Sequence, residues 1–256
     1  MLLLLVLLTL VIVVVNHQFD GDLGLGRQQI DETKHPEGSG VKVSWFSVPK
    51  GSKIDLLANF GAKATSKTII AEFGCSHLVN AGFYDEDASP IGLFKTQLDY
   101  ISRSSQNKLF NGFVYQDLSG KIAISDKVDA DEVVYGFQTG PLLALAGKVI
   151  EINLATDKNA RRLIYVKTSD DRDIFLAVYN QESVFFGPKL AEIGDLLTDF
   201  AQTNDLDLEA AINLDGGTAS VFYSPEIYLK ELSVVGSFLC VTKEMEPEEE
   251  PQYLQP

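Results

Sequence analysis

Short apolar runs rich in β-branched and aromatic residues recur along the chain. Val41–Phe46, Leu78–Asn80, Lys121–Ile124, Val133–Phe137, Lys148–Asn153, Ile164–Lys167, Ile174–Tyr179, Ala210–Leu214 and Phe238–Val241 each read as a strand. Two segments switch to helical spacing. Ser66 caps a predicted helix that runs through Ile69, Ile70 and Phe73 to Gly74. A second starts at Pro188 and places Leu190, Ile193, Leu196, Leu197 and Phe200 on one face. The irregular order of strands and helices does not suit a doubly wound parallel sheet. It predicts an α+β fold, a single domain with a large twisted mixed β-sheet and packed helices.

Composition adds limits. With 256 residues and 45% hydrophobic content, the chain buries one sizeable core. Its formal charge of −15 argues against nucleic acid as a partner, because phosphate backbones need concentrated Lys/Arg, and Arg161-Arg162 is the one adjacent arginine pair. Residues 1–15 are almost wholly apolar and read as a membrane anchor or signal segment, although they span only about 22 Å as a helix against a hydrocarbon core of roughly 30 Å. Neither a basic flank nor an Ala-x-Ala-like cleavage site accompanies them. Residues 16–40 read as a flexible tether, 41–242 as the folded domain and 243–256 as a disordered acidic tail. Export follows, with the domain extracytoplasmic and either membrane-anchored or secreted.

Several familiar chemistries drop out. Gly24-Leu25-Gly26 lacks the flanking strand and helix of a dinucleotide fingerprint. Cys75 and Cys240 have no zinc-ligand spacing; they form one disulfide or are two small buried side chains. His77 is the sole histidine of the domain and has no Gly-x-Ser-x-Gly companion, so it reads as structural. Asp85-x-Asp87-x-Ser89 opens like a calcium loop, but Pro90 stands where an EF-hand needs Gly. A simpler calcium site on Asp85, Asp87 or Asp215 stays open, and no cofactor is required.

Three polar turns after apolar runs carry the functional reading. Residues 78–92 contain Asn80-Ala81-Gly82-Phe83-Tyr84-Asp85; residues 137–141 read Phe-Gln-Thr-Gly-Pro; residues 213–217 read Asn-Leu-Asp-Gly-Gly. Their order resembles the phosphodiester glycosidases over roughly residues 41–241. The resemblance implies hydrolysis of a sugar-1-phosphodiester, with a hexosamine-like sugar leaving phosphate, in cell-envelope or exopolysaccharide metabolism. It implies Asp215 and Asp85 as catalytic carboxylates. Asn80, Gly82, Gln138, Thr139, Arg161, Asn213, Gly216, Gly217 and Ser220 would bind a glycan or sugar-phosphate. Gly216 and Gly217 permit positive φ and close approach of a ligand. A guanidinium grips phosphate with two parallel hydrogen bonds, which Arg161 rather than Arg162 is expected to supply. Phe83, Tyr84 and Phe137 either stack on sugar faces or pack in the core.

Two segments depart from the family pattern. Where many members continue Thr-Ala-Ile-Gly, this chain has Arg162-Leu163-Ile164-Tyr165, and Asn180-Gln181-Glu182 replaces Asp-Gly-Arg. The alternative is therefore a catalytically inactive glycan-binding or interaction protein on the same fold. The enzymatic reading requires loops bearing Asn80, Gln138, Arg161 and Asp215 to line one cavity.

Overall fold

The computed structural model describes residues 40–243. The anchor, tether and acidic tail fall outside the described residues, except for Gly40 and Lys243. Among the described residues no helix is long and apolar enough to cross a membrane.

Along the chain the elements are β1 (Val41–Ser47), β2 (Ser52–Ala58), α1 (Ser66–Phe73), β3 (His77–Asn80), β4 (Phe94–Lys95) and β5 (Tyr100–Ser102). Next come β6 (Gly112–Asp117), β7 (Ile122–Ser125), β8 (Val133–Thr139), β9 (Leu142–Leu145), β10 (Lys148–Val149) and β11 (Arg162–Thr168). The last are β12 (Asp173–Asn180), α2 (Ile193–Thr203), β13 (Leu208–Asn213), β14 (Phe222–Tyr223), β15 (Tyr228–Leu229) and β16 (Ser237–Lys243).

The strands form three sheets, ordered β1-β12-β11-β13-β9-β10, β15-β14-β3-β16-β2 and β5-β4-β8-β6-β7. Every neighbouring pair among them is antiparallel. The fold is a single domain in which sheets dominate, and the expected large mixed sheet is corrected to three antiparallel ones. The reason lies in strand insertion. Helix α1 joins β2 to β3 and α2 joins β12 to β13, connections long enough for parallel neighbours. In each case another strand, β16 or β11, sits between the two and pairs antiparallel with both.

The six-stranded sheet is buried on both faces. Along β11 and β12, Leu163, Tyr165, Phe175, Ala177 and Tyr179 face the core shared with the other two sheets, which supply Leu239, Phe222, Phe137 and Val114. The alternate residues Ile164, Val166, Ile174, Leu176 and Val178 pack against Ile193, Leu197 and Phe200 of α2. Double burial explains why these strands read as continuous apolar runs instead of alternating ones. Helix α1 covers the outer face of the second sheet, setting Ile69 against Leu78 and Phe238.

Local signals hold with small shifts. Thr65, not Ser66, caps α1 by accepting from Thr68 N, and Gly74 ends the helix at φ 65°. Ser66 instead gives its N–H to Glu231 Oε1 at 2.8 Å. The second helix begins as a 3₁₀ turn, Leu190–Glu192, with Glu192 Oε2 accepting from Lys189 N at 2.8 Å. The run Lys148–Asn153 is a strand only over its first two residues.

Cys75 and Cys240 form a disulfide beneath α1, joining its exit to the middle of β16. This resolves the two readings left open by the sequence. The bridge closes a 165-residue separation, for which the loop-entropy account gives about 5 kcal/mol of stabilisation. Reduction, or paired Cys75→Ala and Cys240→Ala substitution, is expected to lower unfolding stability by about 2–5 kcal/mol. Urea unfolding with and without reductant checks this, and coincident curves would contradict it.

Candidate active site

Strand β13 lies inside the six-stranded sheet between β11 and β9, and its C-terminal end delivers Asn213, Leu214 and Asp215 to a junction of all three sheets. Leu214 turns into the central core. Asn213 and Asp215, two residues apart on an extended chain, face the opposite side. There they line a cavity of 330 Å³ together with Phe83, Leu109, Pro141, Leu154, Asp157, Lys158, Arg162, Gly216 and Gly217. That volume is near the small end of ligand pockets, which run from roughly 300 to 1,000 Å³.

Asp215 is partly buried, and loss of water around its carboxyl raises its pKa from the usual 3.8 to about 7, with the Gly216 N–H pulling the other way. That N–H donates to Oδ1 at 2.8 Å. The backbone is held as firmly: Asp215 N donates to the Ala81 carbonyl at 3.2 Å and Asn80 Nδ2 donates to the Asp215 carbonyl at 2.8 Å. Asn80 Oδ1 in turn accepts from Val221 N at 2.9 Å. Asn80 thus spends its amide on fixing the two ends of the Asp215 loop.

Arg162 faces the same cavity. Its Nε donates to the Pro188 carbonyl at 3.2 Å, and Nη2 donates to the Lys158 carbonyl and to Asp157 Oδ1, the latter at 3.2 Å. Asp157 also accepts from Leu190 N and Ala191 N, both at 2.9 Å, so one carboxylate anchors the arginine and the start of the second helix. Lys158 is exposed at the rim. Two carboxylates, Asp215 and the arginine-paired Asp157, and two cations, Arg162 and Lys158, therefore share a partly apolar recess.

Other expected site residues sit behind the walls. Whereas Arg162 lines the cavity, Arg161, expected to grip ligand in preference to it, is fully buried and does not. Its Nε donates to Ser220 Oγ at 2.8 Å, Nη2 donates to the Ser220 and Lys230 carbonyls, and its guanidinium carbon lies 5.0 Å from the Phe185 ring centroid. Burial draws its pKa down to about 10. Ser220 is committed to Arg161 and to the Gly217 carbonyl. Gln138 uses both amide atoms on the backbone of Leu93, Ser105 and Phe110. Thr139 Oγ1 donates to the Asn213 carbonyl at 3.0 Å. None of Gln138, Thr139 and Ser220 lines the cavity.

Asp85 is exposed and outside the cavity. Its Oδ1 accepts from Asp87 N at 3.0 Å and Ser89 N at 2.8 Å, closing its own turn. The second carboxylate expected to join Asp215 therefore lies outside the cavity that Asp215 lines. Among the described residues no group of three or more His, Cys, Asp or Glu side chains could hold a metal, so Asp85, Asp87 and Asp215 do not gather as ligands. Gly82 serves close packing, since a Cβ there would lie 2.8 Å from the Gln138 carbonyl oxygen. At Gly216 a Cβ would meet the Arg161 carbonyl oxygen at 2.5 Å, while Gly217 takes φ +63°. The approach permitted at Gly216 is thus to neighbouring backbone. Phe83 reaches the cavity and packs on Phe110 at 4.6 Å, whereas Phe137 is core.

The sequence matches the family described as phosphodiester glycosidase over residues 73–242. The chain belongs to that family. No curated protein sequence matches it. Its fold is similar to the catalytic domain of zebrafish N-acetylglucosamine-1-phosphodiester alpha-N-acetylglucosaminidase, auto-inhibited by its pro-peptide, with TM-score 0.56 and 13% identity over 83% of this chain and 86% of that one. A hypothetical protein from Synechocystis gives TM-score 0.51 and 14% identity over 78% of this chain and 59% of that one. A putative exported protein from Burkholderia pseudomallei K96243 gives 0.52 and 11% over 78% and 73%.

In this phosphodiester glycosidase family member the departures have clear places. Tyr165 points into the core, stacked on Phe175 at 4.4 Å, so it takes no room from the cavity. Asn180 Oδ1 accepts from Glu182 N at 2.8 Å within its own turn. Sequence reading passed over Asp157 and Lys158, whose one signal was a polar stretch directly ahead of the apolar run Leu163–Val166.

A carboxyl whose folded pKa exceeds its unfolded one binds its proton more tightly in the folded state. Its ionisation therefore costs stability as pH rises from about 4 to about 7, and the cost is constant above that. Asp215→Asn keeps an acceptor for Gly216 N and removes this cost. The variant is expected to be more stable than the parent by about 2–4 kcal/mol at pH 8, with the gain shrinking toward pH 4. Denaturant unfolding across that range checks it; a gain independent of pH would contradict the Asp215 environment.

Proposed function

We propose that this protein hydrolyses a sugar-1-phosphodiester, releasing a hexosamine-like sugar from phosphate. The observation that carries the reading is the cavity that sets the desolvated Asp215 carboxyl among Arg162 and Lys158. An anionic phosphodiester suits the two cations, Arg162 most of all because it is already fixed by three acceptors. Family membership over residues 73–242 supports the same reaction class.

The chemistry needs few groups. Water attacks the anomeric carbon, the bond from that carbon to the phosphate oxygen breaks, and its electron pair stays on phosphate. A phosphate monoester, whose second pKa is about 6, departs without a proton donor. The proton lost by water goes to ionised Asp215, acting as base, and the same charge supports the oxocarbenium-like transition state. One carboxylate is then enough, which fits Asp157 being committed to Arg162 and to helix N–H groups. No step in this reading calls for a cofactor.

An extracytoplasmic setting in cell-envelope or exopolysaccharide metabolism is part of the proposal. Support comes from the disulfide, which persists in oxidising compartments, and from the apolar residues 1–15.

Assays of sugar release from a hexosamine-1-phosphodiester are expected to show kcat/KM rising with pH through about 7 to a plateau. Asp215→Asn is expected to lower kcat at least about 100-fold, and Arg162→Met to raise KM about 10- to 100-fold with the fold retained. Full activity in Asp215→Asn would remove Asp215 from the mechanism, whereas sugar binding with no release by the parent would favour the glycan-binding alternative.

A further inference from the structure

The cavity that holds Asp215 is lined by two unlike kinds of residue. Arg162, Lys158 and Asp157 bring charge to it, whereas Phe83, Leu109, Pro141 and Leu154 bring apolar surface. Phe83, Leu109 and Leu154 are only half-buried, so the core does not use them up. Aliphatic side chains offer nothing to sugar hydroxyls, each of which needs a hydrogen-bond partner once it leaves water. With the phosphate facing the cations and the anomeric carbon facing Asp215, that apolar lining is left for the group on the other ester of the phosphate.

The place of the cavity in the fold points the same way. Arg162 opens β11 opposite Val178 of β12, and Val41 opens β1 opposite Asn180, two residues further along β12. Two strand spacings, about 10 Å, separate β1 from β11. The chain therefore enters the domain at the end of the six-stranded sheet that carries the cavity. Hydrogen bonds of 2.8 Å from Gln181 N to the Gly40 carbonyl and from Asn180 N to the Phe186 carbonyl hold that entry in place. Phe186 is 58% exposed and Val184 36%, on the segment that leads to the Pro188 carbonyl gripping Arg162. Exposed apolar side chains at one end of a domain suit a membrane surface. The apolar residues 1–15, proposed above as the anchor, connect through Gly40 to that same end.

We infer that the second ester of the phosphate is to a lipid alcohol, so that the substrate is a glycosyl phospholipid held in the membrane. This rests on the proposed sugar-1-phosphodiester hydrolysis and names the group that the phosphate carries opposite the sugar. Leu109, Pro141, Leu154 and Phe83 cover the first carbons of the chain. A cavity of 330 Å³ does not enclose a whole lipid, and the rest of the chain passes over the rim to the bilayer. Attack by water at the anomeric carbon then yields a free sugar and a lipid monophosphate that stays in the membrane.

Two phosphodiesters of one hexosamine, the methyl and the geranyl ester, test this on the full chain in detergent, with concentrations corrected for uptake by the micelles. Each buried methylene is worth about fourfold in binding. The parent is expected to show kcat/KM about 10- to 60-fold higher for the geranyl ester, and calorimetry to show the same preference for geranyl phosphate over methyl phosphate. In Leu154→Asn the ratio between the two ligands, taken within the variant, is expected to fall below about threefold. Leu109→Ser serves the same purpose should that variant not fold. Equal binding of the two phosphates by the parent, no binding of either, or a preference that persists in both variants would overturn the inference. A geranyl preference in binding with no sugar released from either ester would overturn the hydrolytic reading alone, and release from both esters with equal efficiency would overturn this one alone.

Discussion

Burial of the central sheet on both faces is the constraint from which the site follows. Strands β11, β12 and β13 carry apolar side chains upward to α2 and downward to the other two sheets. Polar residues at the end of such a strand have no solvent to turn to, so each must find a partner or open into a cavity. Asn80, Thr139, Arg161 and Ser220 take the first course and bind one another's loops. Asn213 and Asp215 line the recess, and Asn213 Oδ1 has no hydrogen-bond partner among the described residues.

That division sets the electrostatics. Asp215 sits where desolvation outweighs its one N–H bond, which brings its pKa to about 7. Lys158, on the loop leading into β11, and Arg162, the first residue of that strand, place positive charge on the same recess. Burial also acts on the arginines, lowering both pKa values without removing their charge near neutrality. Arg161 illustrates a different use of charge, for its guanidinium ties the Ser220 and Lys230 backbone to the loop that carries Gly216 and Gly217. The supporting residues thus act on geometry, and the cavity residues act on a ligand.

Much of the architecture was legible as pattern. The runs at Val41–Phe46, Ile174–Tyr179 and Phe238–Val241 became strands, and both helices formed where their spacing placed them. Strands β2, β4, β5, β6, β9, β14 and β15 escaped notice. Four of them, β4, β5, β14 and β15, span only two or three residues, and β2 and β9 acquire strand geometry by pairing with the distant β16 and β13. At the site the polar turns marked the right loops, but residue type did not reveal orientation. Gln138 and Asp85 carry groups suited to ligands and spend them on their own loops.

The sequence by itself determined the β-rich single domain, the family, and Asp215 at the mouth of an apolar strand, because periodicity and turn chemistry are local. Only the tertiary structure decided that the sheets are three and antiparallel, that Cys75 meets Cys240, and that Arg162 rather than Arg161 lines the cavity. Adjacent residues on an extended strand point to opposite sides. Which side is interior depends on layers supplied by other parts of the chain, such as Ser220 and Lys230 around Arg161, and no local pattern encodes that.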